Sequence, residues 1–484
     1  MMKQKYLIIV ILYLALLAQS SCKKFVEVDV AGSLIGTKQV FSNDANATAA
    51  VIGIYIKMMA KSVGVSYIPL AVTTYSGLCA DELKIFKPAA SNSNAYFYIN
   101  SIGTNSLTNE NIWSDLYGYI FTANLTIENL EGNTQVSSTV NDQLLGEVKF
   151  IRAFSYFYLT NIYGDVPLLT HSDYNINRLA GRNSQSAVYN QMITDLKDAQ
   201  RLLRPDYSIS ENKERVRPNK WAATALLARV YLYTGNWNDA ESQSTAIIAN
   251  TSLFSLPTIG SDSVNGLNTV FKKNSLETIW ALKPVLEGLN TSEAEIFMRP
   301  AEGLFGENRL VLSDQAISAF EPGDLRRKAW INPASTPESF PDTNYYVNKY
   351  KVGFTKLQAA QEYSIVLRVA EQYLIRAEAR AMQNNLKGAA HDLNRIRAGA
   401  GLSNAAVSDL SSLLKAVLKE RQVELFCEFG HRWFDLKRTK NIDAVMNVVS
   451  PLKNAVWNTN FQLYPIPQNE ILNNINLTQN TGYN

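Results

Sequence analysis

Three glutamates, Glu420, Glu424 and Glu428, recur every four residues in the run Lys419-Glu420-Arg421-Gln422-Val423-Glu424-Leu425-Phe426-Cys427-Glu428. On a continuous helix this spacing aligns three carboxylates along one face. Two carboxyl groups serve as acid and base in a glycoside hydrolase only when they flank the scissile bond from opposite sides. These point the same way and have Arg421, Arg432, Lys437 and Arg438 close in sequence, so the expectation is structural ion pairing and no catalytic residue. The three histidines, His171, His391 and His431, stand in unrelated contexts with no HExxH, no Cys/His zinc spacing and no acidic calcium loop. No protein metal site and no cofactor is expected. A GxSxG elbow, a P-loop and a GxGxxG after a strand are all missing, so nucleophilic and nucleotide chemistry lack their signatures.

Binding chemistry has better support. Stretches without helical period, 63–106, 164–184, 250–309 and 329–364, hold much of the Asn, Ser, Gly and Pro and also many Tyr and Phe. Loops this long in a compact body usually carry function. Within them Tyr96, Tyr98, Trp330, Tyr345 and Tyr346 fall outside any helical stripe, beside Asp81, Lys84 and Asn100. A flat ring covers the C–H face of a sugar while amides and carboxylates bind its hydroxyls. These eight residues are the expected ligand-binding set; for each ring the plain alternative is that it closes the core beneath its loop.

The elements that must position them read as helices. Ala47, Val51, Ile54 and Met58 repeat at 4, 3, 4, and Trp113, Leu116, Ile120, Ala123, Ile127 and Leu130 at 3, 4, 3, 4, 3. Each pattern places one apolar stripe on one helix face. A further helix is predicted over 140–163, and another from Tyr189, Met192, Leu196, Ala199 and Leu203. Two regions are internally similar: Ala228, Tyr231, Gly235, Trp237, Ala240, Ser244 and Ile247 match Ala377, Arg380, Asn384, Leu386, Ala389, Leu393 and Ile396, all displaced by 149 positions. Small residues at Ala228/Ala377 and Ala240/Ala389 let helices approach closely, and Gly235/Asn384 suit the left-handed residue that ends a helix. That is the tetratricopeptide rhythm of paired helices. Pro218 suits a first helical turn. Short strands are expected at Glu277–Leu282 and near Tyr345–Tyr350, as minor hairpins only.

The chain has 484 residues, 46% hydrophobic and 18% charged, enough for a large core. Its net charge of +3, with no clustered Lys/Arg stripe, excludes a nucleic-acid footprint. Lys3 and Lys5 precede an apolar run of eleven residues from Leu7 to Leu17. A hydrocarbon layer takes about 20 helical residues, so 1–21 reads as a signal peptide. Ser20-Ser21-Cys22 then resembles a lipoprotein cleavage site, with Cys22 as the lipid attachment point and Lys23 to Ile35 as a tether, simple secretion with a free cysteine being the alternative. Cys79 and Cys427 are too few for a disulfide scaffold; they are expected as buried small hydrophobes, a bond between them being the alternative.

Several runs carry a resemblance to the SusD/RagB family. Arg368-Val-Ala-Glu371-Gln-Tyr-Leu374-Ile-Arg-Ala-Glu378-Ala379 and Leu393-Asn-Arg-Ile-Arg397 resemble its pattern closely. Glu420-Arg421 to Glu424-Leu425, then Gly430-His-Arg432-Trp433-Phe434-Asp435-Leu436-Lys-Arg438, is similar to its most recognisable helix and turn. Tyr464-Pro465-Ile466-Pro467, Glu470-Ile471 and Gln479-Asn480-Thr-Gly482-Tyr483 resemble its C-terminus; Lys24 to Asp29, Arg152-Ala153-Phe154 and Tyr163-Gly164-Asp165-Val166-Pro167-Leu168 resemble its N-terminal half.

The resemblance implies a mainly α fold, with four tetratricopeptide-like helix pairs as scaffold, long loops and a few short β-hairpins. It implies one body over 22–484, with an N-terminal part 22–235 and a C-terminal part 275–484. It also implies a lipid-anchored protein on the outer face of the outer membrane, partnering a SusC-like TonB-dependent transporter, non-catalytic, with an oligosaccharide ligand. Peptide cargo is the runner-up, which the mixed charges of Asp81, Glu82, Lys84 and Lys87 leave open. A surface glycoside hydrolase and a helical scaffold that binds only proteins are the more distant alternatives.

Overall fold

The computed structural model describes residues 37–59, 68–86, 93–257, 263–286, 288, 290–298, 309–334, 344–353 and 359–483. Cys22, the leader, the tether and the run Lys24 to Asp29 lie outside the described residues, as does Lys87.

The longer helices are α1 (Asp44–Met59), α2 (Ile68–Cys79), α3 (Leu107–Leu130), α4 (Ser138–Tyr163), α5 (Gln185–Leu202), α6 (Lys220–Thr234) and α7 (Trp237–Ile248). After a strand-bearing stretch follow α8 (Val369–Met382), α9 (Leu386–Gly399), α10 (Leu410–Glu424), α11 (His431–Arg438) and α12 (Ile442–Leu452). From α3 to α9 each helix packs on its successor, and α10 packs on both α8 and α9. The protein is mainly helical, as the stripes predict. α4 runs through the middle: every residue from Phe150 to Tyr163 is buried. Burial on all sides requires its polar groups to find partners. Arg152 accordingly donates to both oxygens of Asp195 at 2.8 and 2.6 Å and to Asn124 Oδ1 at 2.8 Å.

The displaced repeat corresponds to two helix turns built the same way. Gly235 and Asn384 both take left-handed backbone, with φ of 73° and 62°. Asn236 N–H donates to Tyr231 O at 2.9 Å and Asn385 N–H to Arg380 O at 2.8 Å, closing the same wide loop after α6 and after α8. That is the bonding of a Schellman C-cap. Ala228, Ala377, Ala240 and Ala389 are all fully buried.

Four expectations need correction. The stretch 63–106 is not a simple loop, since it contains α2, a strand and the short helix Ser93–Tyr98. α2 has no one-sided stripe because nearly all its residues are buried, Thr73, Thr74, Ser76 and Gly77 included. Pro218 precedes α6 rather than entering it; Asn219 is the N-cap, its side chain accepting from Trp221 and Ala222 N–H. The glutamate run is not one helix either, for α10 ends at Glu424 and Glu428 lies in the following turn. Lastly, the strands are not simply local hairpins. β1 (Leu83–Phe86) pairs antiparallel with β3 (Arg309–Leu312), β2 (Thr278–Leu282) with β6 (Ser364–Arg368), and β4 (Ile331–Ala334) with β5 (Asn344–Val347). Only the last pair joins neighbouring strands.

Candidate functional site

The acidic cluster is a buried ion network. Glu424 takes Arg368 Nη1 at 2.6 Å and Arg326 Nη1 at 2.8 Å, and Glu428 takes Arg368 Nε at 2.8 Å and the Lys349 ammonium. Glu420 pairs with Arg326 at 2.7 Å and with Arg397 at 3.3 Å. Ion pairing therefore holds, but the partners come from distant segments. The nearby cations are occupied elsewhere: Arg421 by Asp435, Arg432 by Asp81, Arg438 by Glu378 and Asp435, and Lys437 by the Asn161 carbonyl. Arg368 spends all five N–H donors on Glu277, Glu424, Glu428 and the Glu424 carbonyl. Burial pushes the Glu277 carboxyl up to about 7, against the pull of Arg368.

Beside this network three residues in the turn after α10, Cys427, Phe429 and Gly430, have positive φ. The N-terminal half pins that turn. Glu82 Oε1 accepts Cys427 N–H at 3.1 Å and Thr73 Oγ1 accepts Phe429 N–H at 3.0 Å. A Cβ on Gly430 would lie 2.8 Å from Ser76 Oγ, so the left-handed turn and the close approach of α2 both call for glycine. Burial drives the Glu82 carboxyl up to about 8. Cys79 and Cys427 are buried free thiols, the first pushed up to about 11 by burial.

Three of the eight expected ligand residues are structural. Asp81 is 4% exposed and receives Arg432 Nε and Nη2, both at 2.8 Å. Burial works to raise its pKa, but Arg432 outweighs it and the carboxyl sits below its ordinary value. Asn100 is buried in left-handed backbone and donates to Cys79 O at 3.2 Å. Trp330 is fully buried, its indole N–H on Leu267 O at 3.2 Å, its ring edge-to-face with Phe271 and under Lys349 Nζ at 4.9 Å. No ring face is left for a ligand. Two more rings are half-buried against the main core: Tyr98, with Lys453 Nζ 5.0 Å from its centroid, and Tyr345, with the Arg327 guanidinium at 5.8 Å.

Of the remaining three, Lys84 and Tyr346 come together on one face of the strands, and Tyr96 stands on a neighbouring helix. In the β1–β3 ladder Lys84 stands opposite Val311 and Phe86 opposite Arg309, so these four share one face. Tyr346 of β5 packs on Phe86 and Val311 as a small apolar cluster apart from the main core, and its hydroxyl accepts from Asn332 Nδ2 at 3.3 Å. Lys84 Nζ pairs with Asp314 at 2.8 Å, and Asp314 is 84% exposed. Tyr96, on the short helix that packs against β1, is 51% exposed. On the same helix Tyr98 has its hydroxyl pKa raised by burial and by the charge of Asp314. Sequence reasoning missed Arg309, Asp314 and Asn332. The alternation of Lys84 with Phe86 was the available signal; that β1 pairs with a strand more than two hundred residues away was not.

The comparisons with known proteins agree with this architecture. A family profile described as starch-binding and associating with the outer membrane matches residues 54–232, and the SusD family profile matches residues 313–483. SusD-like protein P25 of Formosa agariphila is 26% identical over 96% of this chain and 97% of its own length. Among solved structures, a SusD superfamily protein from Bacteroides vulgatus superposes with a TM-score of 0.74 at 20% identity, covering 92% of this chain and all of its own. Surface glycan-binding protein A from Bacteroides fluxus gives 0.74 at 22% identity, covering 91% and 99%. A laminarin-binding SusD-like protein gives 0.74 at 24% identity, covering 91% and 100%. Two profiles of one family, in chain order and spanning both halves of a matching helical fold, make this chain a member of the SusD/RagB family.

Proposed function

We propose that this protein binds oligosaccharide at the outer face of the outer membrane, anchored through lipid on Cys22, and hands it to a SusC-like TonB-dependent transporter without chemical change. The observation that carries binding is the strand face: the Tyr346 ring meets an amide, Asn332, and lies on the face that bears an ion pair, Lys84 with Asp314, while the exposed Tyr96 ring stands on the helix that packs against β1. Rings accompanied by charged and amide groups suit a saccharide, which offers an apolar C–H face and a rim of hydroxyls. Similarity to a laminarin-binding protein and to a surface glycan-binding protein supports the ligand class, and the outer-membrane description of the family profile supports the location. Hydrolysis finds no support in Glu420, Glu424 and Glu428, whose carboxylates are committed to arginines and a lysine.

Titration calorimetry of the lipid-free chain with hexasaccharides of several linkages tests the reading. A Lys84→Ala/Tyr96→Ala/Tyr346→Ala variant should weaken the strand-face isotherm by on the order of 1–2 kcal/mol with an unchanged circular dichroism spectrum. Shortened saccharides in the reaction, binding of peptides in place of saccharides, or an isotherm the variant leaves intact would each refute it.

A further inference from the structure

Away from the strand face, a groove of about 680 Å³ runs between α3, the segment 167–180 and the C-terminal helix Gln468–Asn473. That is within the ~300–1,000 Å³ typical of small-molecule sites. Trp113, Tyr117 and Phe121 stand four residues apart on α3 and line it together. Their stripe covers about 12 Å of helix. Exposure rises along it, from the buried Trp113 through the half-buried Tyr117 to Phe121 at 49%. The inner rings are held firmly. The Tyr117 hydroxyl donates to Pro167 O at 2.9 Å, and Trp113 packs edge-on to Tyr163 at 4.9 Å while hydrogen-bonding Glu470.

From another part of the lining, Tyr174 is 74% exposed. Arg178 and Asn473 also line the groove, both exposed and neither with a side-chain hydrogen-bond or ion-pair partner among the described residues. Glu470 is half-buried in the same lining, and burial raises its carboxyl pKa. Folding does not require the Phe121 and Tyr174 rings to face water, since neither closes the core there.

The geometry points to a second carbohydrate site, in which a short neutral oligosaccharide lies along α3. Its ring faces cover Phe121 and Tyr174, and its hydroxyls meet Arg178, Asn473 and Glu470. One unpaired cation and one carboxyl leave the groove without a strong field, which fits an uncharged chain better than an acidic one. The ligand class rests on the carbohydrate reading of the strand face; the location does not.

The test uses the same hexasaccharide titrations on three proteins: the unmodified chain, a Phe121→Ala/Tyr174→Ala variant and the strand-face variant. The unmodified chain should show a second binding event. The groove variant should lose that event, by about tenfold in affinity or more, and keep the first with an unchanged melting temperature. The strand-face variant should keep the groove event. If the groove variant binds with unchanged stoichiometry and affinity, the second site is wrong while the proposed function stands. If no saccharide binds the unmodified chain, both fall.

Discussion

Replacing Arg368 with Met probes the network that joins the strands to α10. In the native protein Arg368 is buried and donates five hydrogen bonds. Methionine fills similar volume but supplies no donor. Glu424 retains Arg326 and Glu428 retains Lys349, whereas Glu277 has no other ion pair among the described residues. Breaking a buried pair by removing one partner costs about 3–5 kcal/mol, because the remaining charge is uncompensated. In a chain of this size that lowers the melting temperature by on the order of 5 °C. The loss should depend on pH. Burial already raises Glu277 to about 7, above its unfolded value, and without Arg368 the folded pKa climbs further. A raised carboxyl destabilises the fold increasingly as pH rises from the unfolded value through the folded one. The gap between native and variant should therefore be smallest near pH 5 and widen towards pH 8, read from thermal melts by circular dichroism. Adding Glu277→Gln should recover part of it. A variant that melts with the native protein at pH 8, or a gap that narrows as pH rises, would refute the reasoning.

Glu82→Gln works in the other direction. Since Glu82 is raised to about 8 by burial, a permanently neutral side chain should gain roughly 3 kcal/mol relative to the native protein between pH 5.5 and pH 8.5, visible in denaturant midpoints, and no relative gain would contradict that burial. Ala240 is fully buried on α7, so Ala240→Leu should overpack the helix contact at a cost of about 1–3 kcal/mol; stability within about 0.5 kcal/mol of native would reject close packing there. Cys22→Ser should release the protein from isolated outer membranes with its helical spectrum unchanged, and retention in the membrane fraction would rule out the lipid anchor.

The helices were legible wherever one face meets the core and the other meets water. Leu116, Ile120, Ala123 and Ile127 mark α3 for that reason, and the two left-handed turns at Gly235 and Asn384 were legible because few residue types adopt that backbone. α2 was not legible, because burial on every side erases the period on which such reading depends. Among site residues, composition and loop length drew attention to Asp81 and Trp330 but said nothing of their surroundings. Arg432 and Leu267, the groups that decide those surroundings, lie far along the chain. The ring stripe Trp113, Tyr117 and Phe121 was visible at four-residue spacing, yet the stronger core stripe beside it absorbed Trp113.

The last hundred residues stitch the first hundred shut. Lys453 Nζ donates to the Leu78 and Ala80 carbonyls at the end of α2, both at 2.6 Å; Asp81 meets Arg432; and Glu82 holds the turn at Cys427. Such contacts close loops of more than three hundred residues, and loop-closure entropy must be met before they contribute anything. While the chain is being made, its N-terminal half thus has α2 and Asp81 in place but not their partners. The buried carboxyls of Asp81 and Glu82 and the carbonyls at the end of α2 therefore gain these partners last, when residues 427–453 have been added to the chain.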